Sequence, residues 1–167
     1  MSSRPRAKGL SKMIRRLTVV AAALAAFGVL AEPTTAPSTK PTLSLAEAKQ
    51  LSAAAQAYAA QHGWPCSIAI VDDGGWPILT ARMDGAPVVA GIELAQGKAK
   101  TAAIFRRSSG DLETSVNSGR AAAITSGFVM MKGGLPVKSN GVVVGAIGVS
   151  GDTPEHDIRI AMAALEQ

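Results

Sequence analysis

Among 167 residues the chain has one cysteine, one tyrosine, two tryptophans and two histidines. A single cysteine, Cys66, excludes an intramolecular disulfide framework. With no basic neighbour close in sequence, it reads as a buried apolar residue opening a strand rather than as a thiolate ligand or nucleophile. The two histidines, His62 and His156, form no H-E-x-x-H zinc motif, and there is no P-loop. Gly148-Val149-Ser150-Gly151 is too closely spaced for a G-x-S-x-G nucleophile elbow. Acidic residues are missing from the first 31 positions, where six of the seventeen Lys and Arg lie. The formal charge of +5 therefore belongs to the leader, and the remainder carries eleven bases against twelve acids. Such a near-neutral domain does not read as a nucleic-acid binder.

The leader itself has a cationic start (Arg4, Arg6, Lys8, Lys12, Arg15, Arg16) and an apolar stretch over 17–30. Small residues surround Ala31, so residues 1–31 read as a secretory signal peptide cut after Ala31. The apolar stretch is shorter than the roughly 20 residues of a membrane span, so no stable membrane insertion is expected after cleavage. No cysteine follows it, which argues against a lipoprotein, and the residues after Arg15-Arg16 fit Sec better than twin-arginine export. An exported protein, periplasmic or extracellular, is expected. Residues 32–42, EPTTAPSTKPT, form a Pro/Thr-rich linker with too few large apolar groups to fold, and residues 43–167 form one domain.

Within that domain Ser44 and Glu47 spell a capping box, and Leu45, Ala48, Leu51, Ala55 and Tyr58 recur at helical spacing. A helix over 45–61 is expected, then a hairpin of strands 67–71 and 76–82 turning through Asp72-Asp73-Gly74-Gly75. The stretch 89–107 has the alanine density of a closely packed helix. Shorter helical turns are expected around 111–116 and 120–124, and strands at 128–131 and 135–138. Asn140-Gly141 between apolar runs is the sequence of a type I′ turn, where both residues take positive φ. The strand after it, VVVGAIGVS, runs into Thr153 as N-cap and Pro154 as first residue of a last helix to 165. The order is an α+β pattern on an antiparallel sheet of about five strands flanked by helices.

Four ordered segments carry a resemblance: RMDGA (82–86), GKAKTA (97–102), GGLP (133–136) and GAIGVSGDTPEHD (145–157). In these the chain resembles the GlcG/HbpS family, related to the C-terminal domain of PduO-type proteins, over nearly everything after the leader. The resemblance implies a profilin-like domain, assembly into homo-oligomers, and haem as the ligand, with haem degradation as a further activity.

Haem requires an apolar slot, cations for the propionates and usually an axial donor. His156, in the first turn of the last helix beside the glycine-rich strand, is either that donor or a solvent-facing residue. His62 reads as a helix-end residue. Met83 is a thioether donor or core packing. Trp76 stands where the family frequently has a histidine or polar residue, which argues against a ligand from the hairpin. Thr101 is a weak oxygen ligand or a hydroxyl bonded to its own helix, with Lys98 beside it in the same segment. Arg82 either pairs with Asp84 or meets a propionate through a bidentate contact. Ser150 and Gly151, with Gly145 and Gly148, either serve backbone packing or form a rim whose N–H groups take an anion at the helix start. Two other readings stay open: an accessory module whose oligomer surface binds a partner of a redox or sensory system, and a protein acting on another small anionic ligand.

Overall fold

The structure is a computed structural model that describes residues 39–166. The expected signal peptide and most of the expected linker lie outside those residues. The domain runs α1 (Leu45–His62), β1 (Ser67–Asp72), β2 (Pro77–Arg82), α2 (Gly91–Phe105), α3 (Ser109–Asn117), a 3-10 turn (Ala121–Ser126), β3 (Gly134–Ser139), β4 (Val142–Ser150) and α4 (Pro154–Leu165). The strands form one antiparallel sheet in the order β2-β1-β4-β3.

Local chemistry fixes several boundaries. The capping box is complete: the Ser44 N–H donates to Glu47 at 2.7 Å, and the Glu47 N–H donates to the Ser44 hydroxyl at 3.2 Å. Asn140 and Gly141 both take positive φ, 50° and 79°, joining β3 to β4. β2 starts at Pro77, where the β1–β2 register slips, since proline cannot donate to the ladder.

The sheet has four strands, one fewer than expected, because residues 128–131 are not a strand. Their surroundings use the backbone otherwise. The Met131 carbonyl accepts from the Ser109 hydroxyl at 2.5 Å, and the neighbouring Lys132 N–H donates to Glu113 at 2.8 Å. Phe128 meets Phe105 edge to face with ring centroids 5.0 Å apart. The segment is thus tied to α2 and α3 rather than to a sheet edge.

Alternation along the central strands makes two unlike cores. Ile68 and Ile70 of β1 with Val144, Ile147 and Val149 of β4 face α1 and α4. On the opposite face Ala69, Val71 and Ala146 meet Ala95, Ala99, Ala102 and Ala103 of α2. Each fully buried Ile or Val contributes about 1.5–3 kcal/mol. The alanine face instead stabilises through closeness. A Cβ on Gly148 would run into the Ala95 carbonyl oxygen and lie 2.6 Å from the Ala99 nitrogen, so α2 rests directly on the strand backbone. Among the described residues no helix is long and apolar enough to cross a membrane.

Candidate functional site

Three of the four sequence segments converge at the end of β4. From α2, Lys98 reaches through the sheet edge, 2 % exposed, and its Nζ donates to the Val149 carbonyl at 3.0 Å and to Asp157 Oδ2 at 2.6 Å. The other Asp157 oxygen accepts the Gly151 N–H at 2.6 Å. Gly133, at φ 121°, backs onto this network: a Cβ there would lie 2.8 Å from the Val149 oxygen and 2.9 Å from Asp157 Cβ. The network joins α2, β4, the strand entry before β3 and the first turn of α4. Burial pushes the Asp157 carboxyl above its ordinary value, against the pull of Lys98 and the Gly151 N–H. Ser150 is buried with it, its backbone opposite Ser67 in the ladder.

One residue earlier on α4, His156 points the other way, half-exposed. Its Nδ1 donates to both Asp152 oxygens, at 2.8 and 3.1 Å, and its ring lies flat on Trp64 with centroids 3.7 Å apart and planes 8° apart. Trp64 in turn stacks on His62 at 4.7 Å, and His62 on Tyr58 at 4.1 Å. Both histidines and the only tyrosine thus gather around one tryptophan. The His62 Nδ1 donates to the Tyr58 carbonyl at 2.8 Å, which ties it to the end of α1. Burial raises the Asp152 carboxyl, but hydrogen bonds from His156 and from the N–H groups of Asp152 and Thr153 outweigh that and hold it below its ordinary value. Thr153 caps α4 by accepting the His156 N–H at 3.2 Å.

The other expected residues are placed as follows. Thr101 is buried, and its hydroxyl donates to the Gly97 carbonyl at 2.8 Å within α2. Met83 packs at the edge of the α1/α4 core, its sulfur 3.9 Å from Cys66 Sγ. Burial, with Asp157 and Asp152 adding, pushes the Cys66 thiol up to about 12, so it is an inert thiol. Arg82 is exposed and donates to the Ala86 carbonyl at 3.1 Å, closing its own loop rather than pairing with Asp84. The structure therefore brings Lys98, Ser150 and Gly151 together, sets His156 beside them on the outer face, and leaves Arg82, Met83 and Thr101 apart from that point.

Asp157 and Trp64 are the additions. The Lys98 to Asp157 pair spans 59 positions, and no local pattern announces it. Its signal is the T-P-E-H-D order itself, which sets Asp157 in the first turn behind a capped N-terminus. Trp64 carried no signal beyond its place after a helix end.

An open groove of about 840 Å³ runs along β3 between the start of α1 and the end of α4, lined in part by Leu51, Leu135, Val137, Lys138 and Leu165. Its lining holds no histidine, cysteine, methionine or tyrosine. The groove and the His156 cluster thus lie in different places among the described residues.

An antiparallel sheet with helices on both faces, tied by a buried Lys–Asp pair at a glycine-rich strand end, defines an α+β class of small domain. The chain belongs to the HbpS-like family, whose model, described as haem degrading protein HbpS-like, matches residues 43–166. It is 43 % identical over 114 residues to protein GlcG of Escherichia coli strain K12, covering 67 % of this chain and 84 % of that protein. A crystal structure of a double mutant of HbpS from Streptomyces reticuli superposes with a TM-score of 0.71 at 28 % identity, covering 81 % of this chain and 95 % of that one. A crystal structure titled PduOC:Heme complex gives 0.68 at 31 % identity over 75 % and 94 %.

Proposed function

We propose that the protein binds haem, with His156 as the protein donor and with the remaining walls supplied by another copy of the chain. The observation that carries this is the His156 geometry. A histidine whose Nδ1 is held by a carboxylate has its tautomer and ring orientation set, and its Nε2 lone pair is left for a metal. The Trp64 stack fixes the ring plane, and Nε2 makes no hydrogen bond among the described residues. Family membership and the haem complex of a similar chain support the ligand. When bound, haem would supply an iron centre that a protein donor such as the His156 imidazole could hold. This chain's part is to orient the imidazole through Asp152, to offer the flat Trp64 surface beside it, and to anchor the first turn of α4 through Asp157. The groove along β3 is not lined by His156, so the remaining walls of the site are assigned to another copy.

Export by the 1–31 signal peptide would place this binding outside the cytoplasm, in haem sequestration or transport. Haem breakdown is the further activity that the family's description favours. Titrating hemin into the purified protein tests the binding: a saturable, shifted Soret band at a fixed haem-to-chain ratio is expected, and a linear rise without a shift would overturn the reading. Incubating the complex with a reductant or peroxide then reads breakdown as loss of that band.

A further inference from the structure

A second cavity, of about 250 Å³, opens where the end of α2, the α3 helix and the 3-10 turn meet. Phe105, Leu112 and Met130 give it apolar walls, while Arg107, Arg120 and Ser115 bring polar groups to it. The Phe105 ring is held edge to face by Phe128, so that wall is fixed. Leu112 is buried, and both arginines are exposed.

Two arginines line one partly apolar hollow. The four ion pairs among the described residues use Lys40, Lys98, Lys132 and His156, so neither arginine is neutralised by a carboxylate there. Of the acids on α3, Glu113 accepts the Lys132 N–H, and Asp111 is exposed and outside the lining. Arg107 follows the C-terminus of α2, where the helix dipole favours a cation. Arg120 follows the C-terminus of α3, where its N–H donates to the Ser115 carbonyl at 3.1 Å and the helix dipole again favours a cation. Helix ends thus favour a cation at both positions, and neither arginine has a carboxylate partner to hold it there.

The backbone adds to this. Arg106 has φ 56°, and the only other non-glycine residue with positive φ among the described residues is Asn140, which its hairpin turn requires. A left-handed arginine costs about 1–2 kcal/mol. The bend it makes ends α2 and carries the chain to Arg107 at the cavity.

We propose that this cavity binds a small organic carboxylate with a planar apolar body. Its carboxylate lies between Arg107 and Arg120, which match it through their planar forks, and its body rests on Phe105, Leu112 and Met130. The volume falls just under the roughly 300–1,000 Å³ of drug-sized sites, which suits a ligand of one ring and excludes a macrocycle. The site is separate from His156 and does not depend on the haem reading.

Benzoate is the probe, titrated calorimetrically into the full chain beside neutral benzamide. Saturable benzoate binding is expected, at least tenfold tighter than benzamide, and at least tenfold weaker in the R107Q/R120Q double variant. Prior loading with hemin should leave it unchanged. Absence of saturable benzoate binding overturns the proposal, and so does equal binding of benzamide, which needs no variant to be folded. Undiminished binding in the double variant would also overturn it. A double variant that changes the sedimentation mass of the ligand-free protein would assign the arginines to a contact between copies instead.

Discussion

Asp152 and Asp157 flank the start of α4 in opposite electrostatic settings. Asp157 is buried against Lys98, and its raised pKa shows that ionising it there is costly even with a partner at 2.6 Å. Removing one member strands the other charge, so D157N is expected to lose about 3–5 kcal/mol of unfolding free energy. Replacing both, as K98M/D157L, should recover most of that loss. Urea unfolding of the three proteins checks this, and a double variant as unstable as D157N would show that the hydrogen bond to Gly151, not charge pairing, holds the strand end. Asp152 titrates with the other sign. Its folded pKa is below the ordinary 3.8, so its stabilising effect is fully present above pH 3.8 and fades as pH falls through the lower folded value. The difference in melting temperature between wild type and D152N should shrink as pH falls below about 4. A difference that grows on acidification would contradict the assignment.

Among the elements, α2 depends on closeness rather than on bulk. Its alanines and Gly148 let two backbones meet, so G148A is expected to cost about 1–3 kcal/mol by overpacking, read as a lower urea midpoint at unchanged slope. An unchanged midpoint would mean that α2 can lift off the sheet freely. Most elements were legible from the sequence because their signals are local: the Ser44 capping box, the Asn140-Gly141 turn, the Thr153-Pro154 helix start and the alanine run each fix a boundary within a few residues. The failed strand at 128–131 shows the limit. Its apolar residues suit a strand, but Ser109 and Glu113, from another element, take its hydrogen bonds. The site was legible in the same uneven way. His156 stood out as a scarce donor at a helix start, whereas Trp64 beneath it and Lys98 facing Asp157 are joined only by the fold.

For the whole molecule, the separation of parts matters most. Among the described residues the oriented imidazole of His156 and the roomy groove along β3 lie apart, and the groove's lining holds no histidine, cysteine, methionine or tyrosine. The proposed haem site between copies would reconcile the two: each chain lends its own His156 to one site, so saturation at one haem per chain, with the haem travelling with an oligomer in sedimentation, is the expected result. Haem held by a monomer would contradict the shared site while leaving haem binding itself intact. Whether His156 is the donor is read from the optical spectrum of the H156A variant with hemin. Loss of the shifted Soret band is expected, with its return on adding free imidazole, and H62A is expected to be spectrally like the wild type. An H156A spectrum identical to that of the wild type would contradict it.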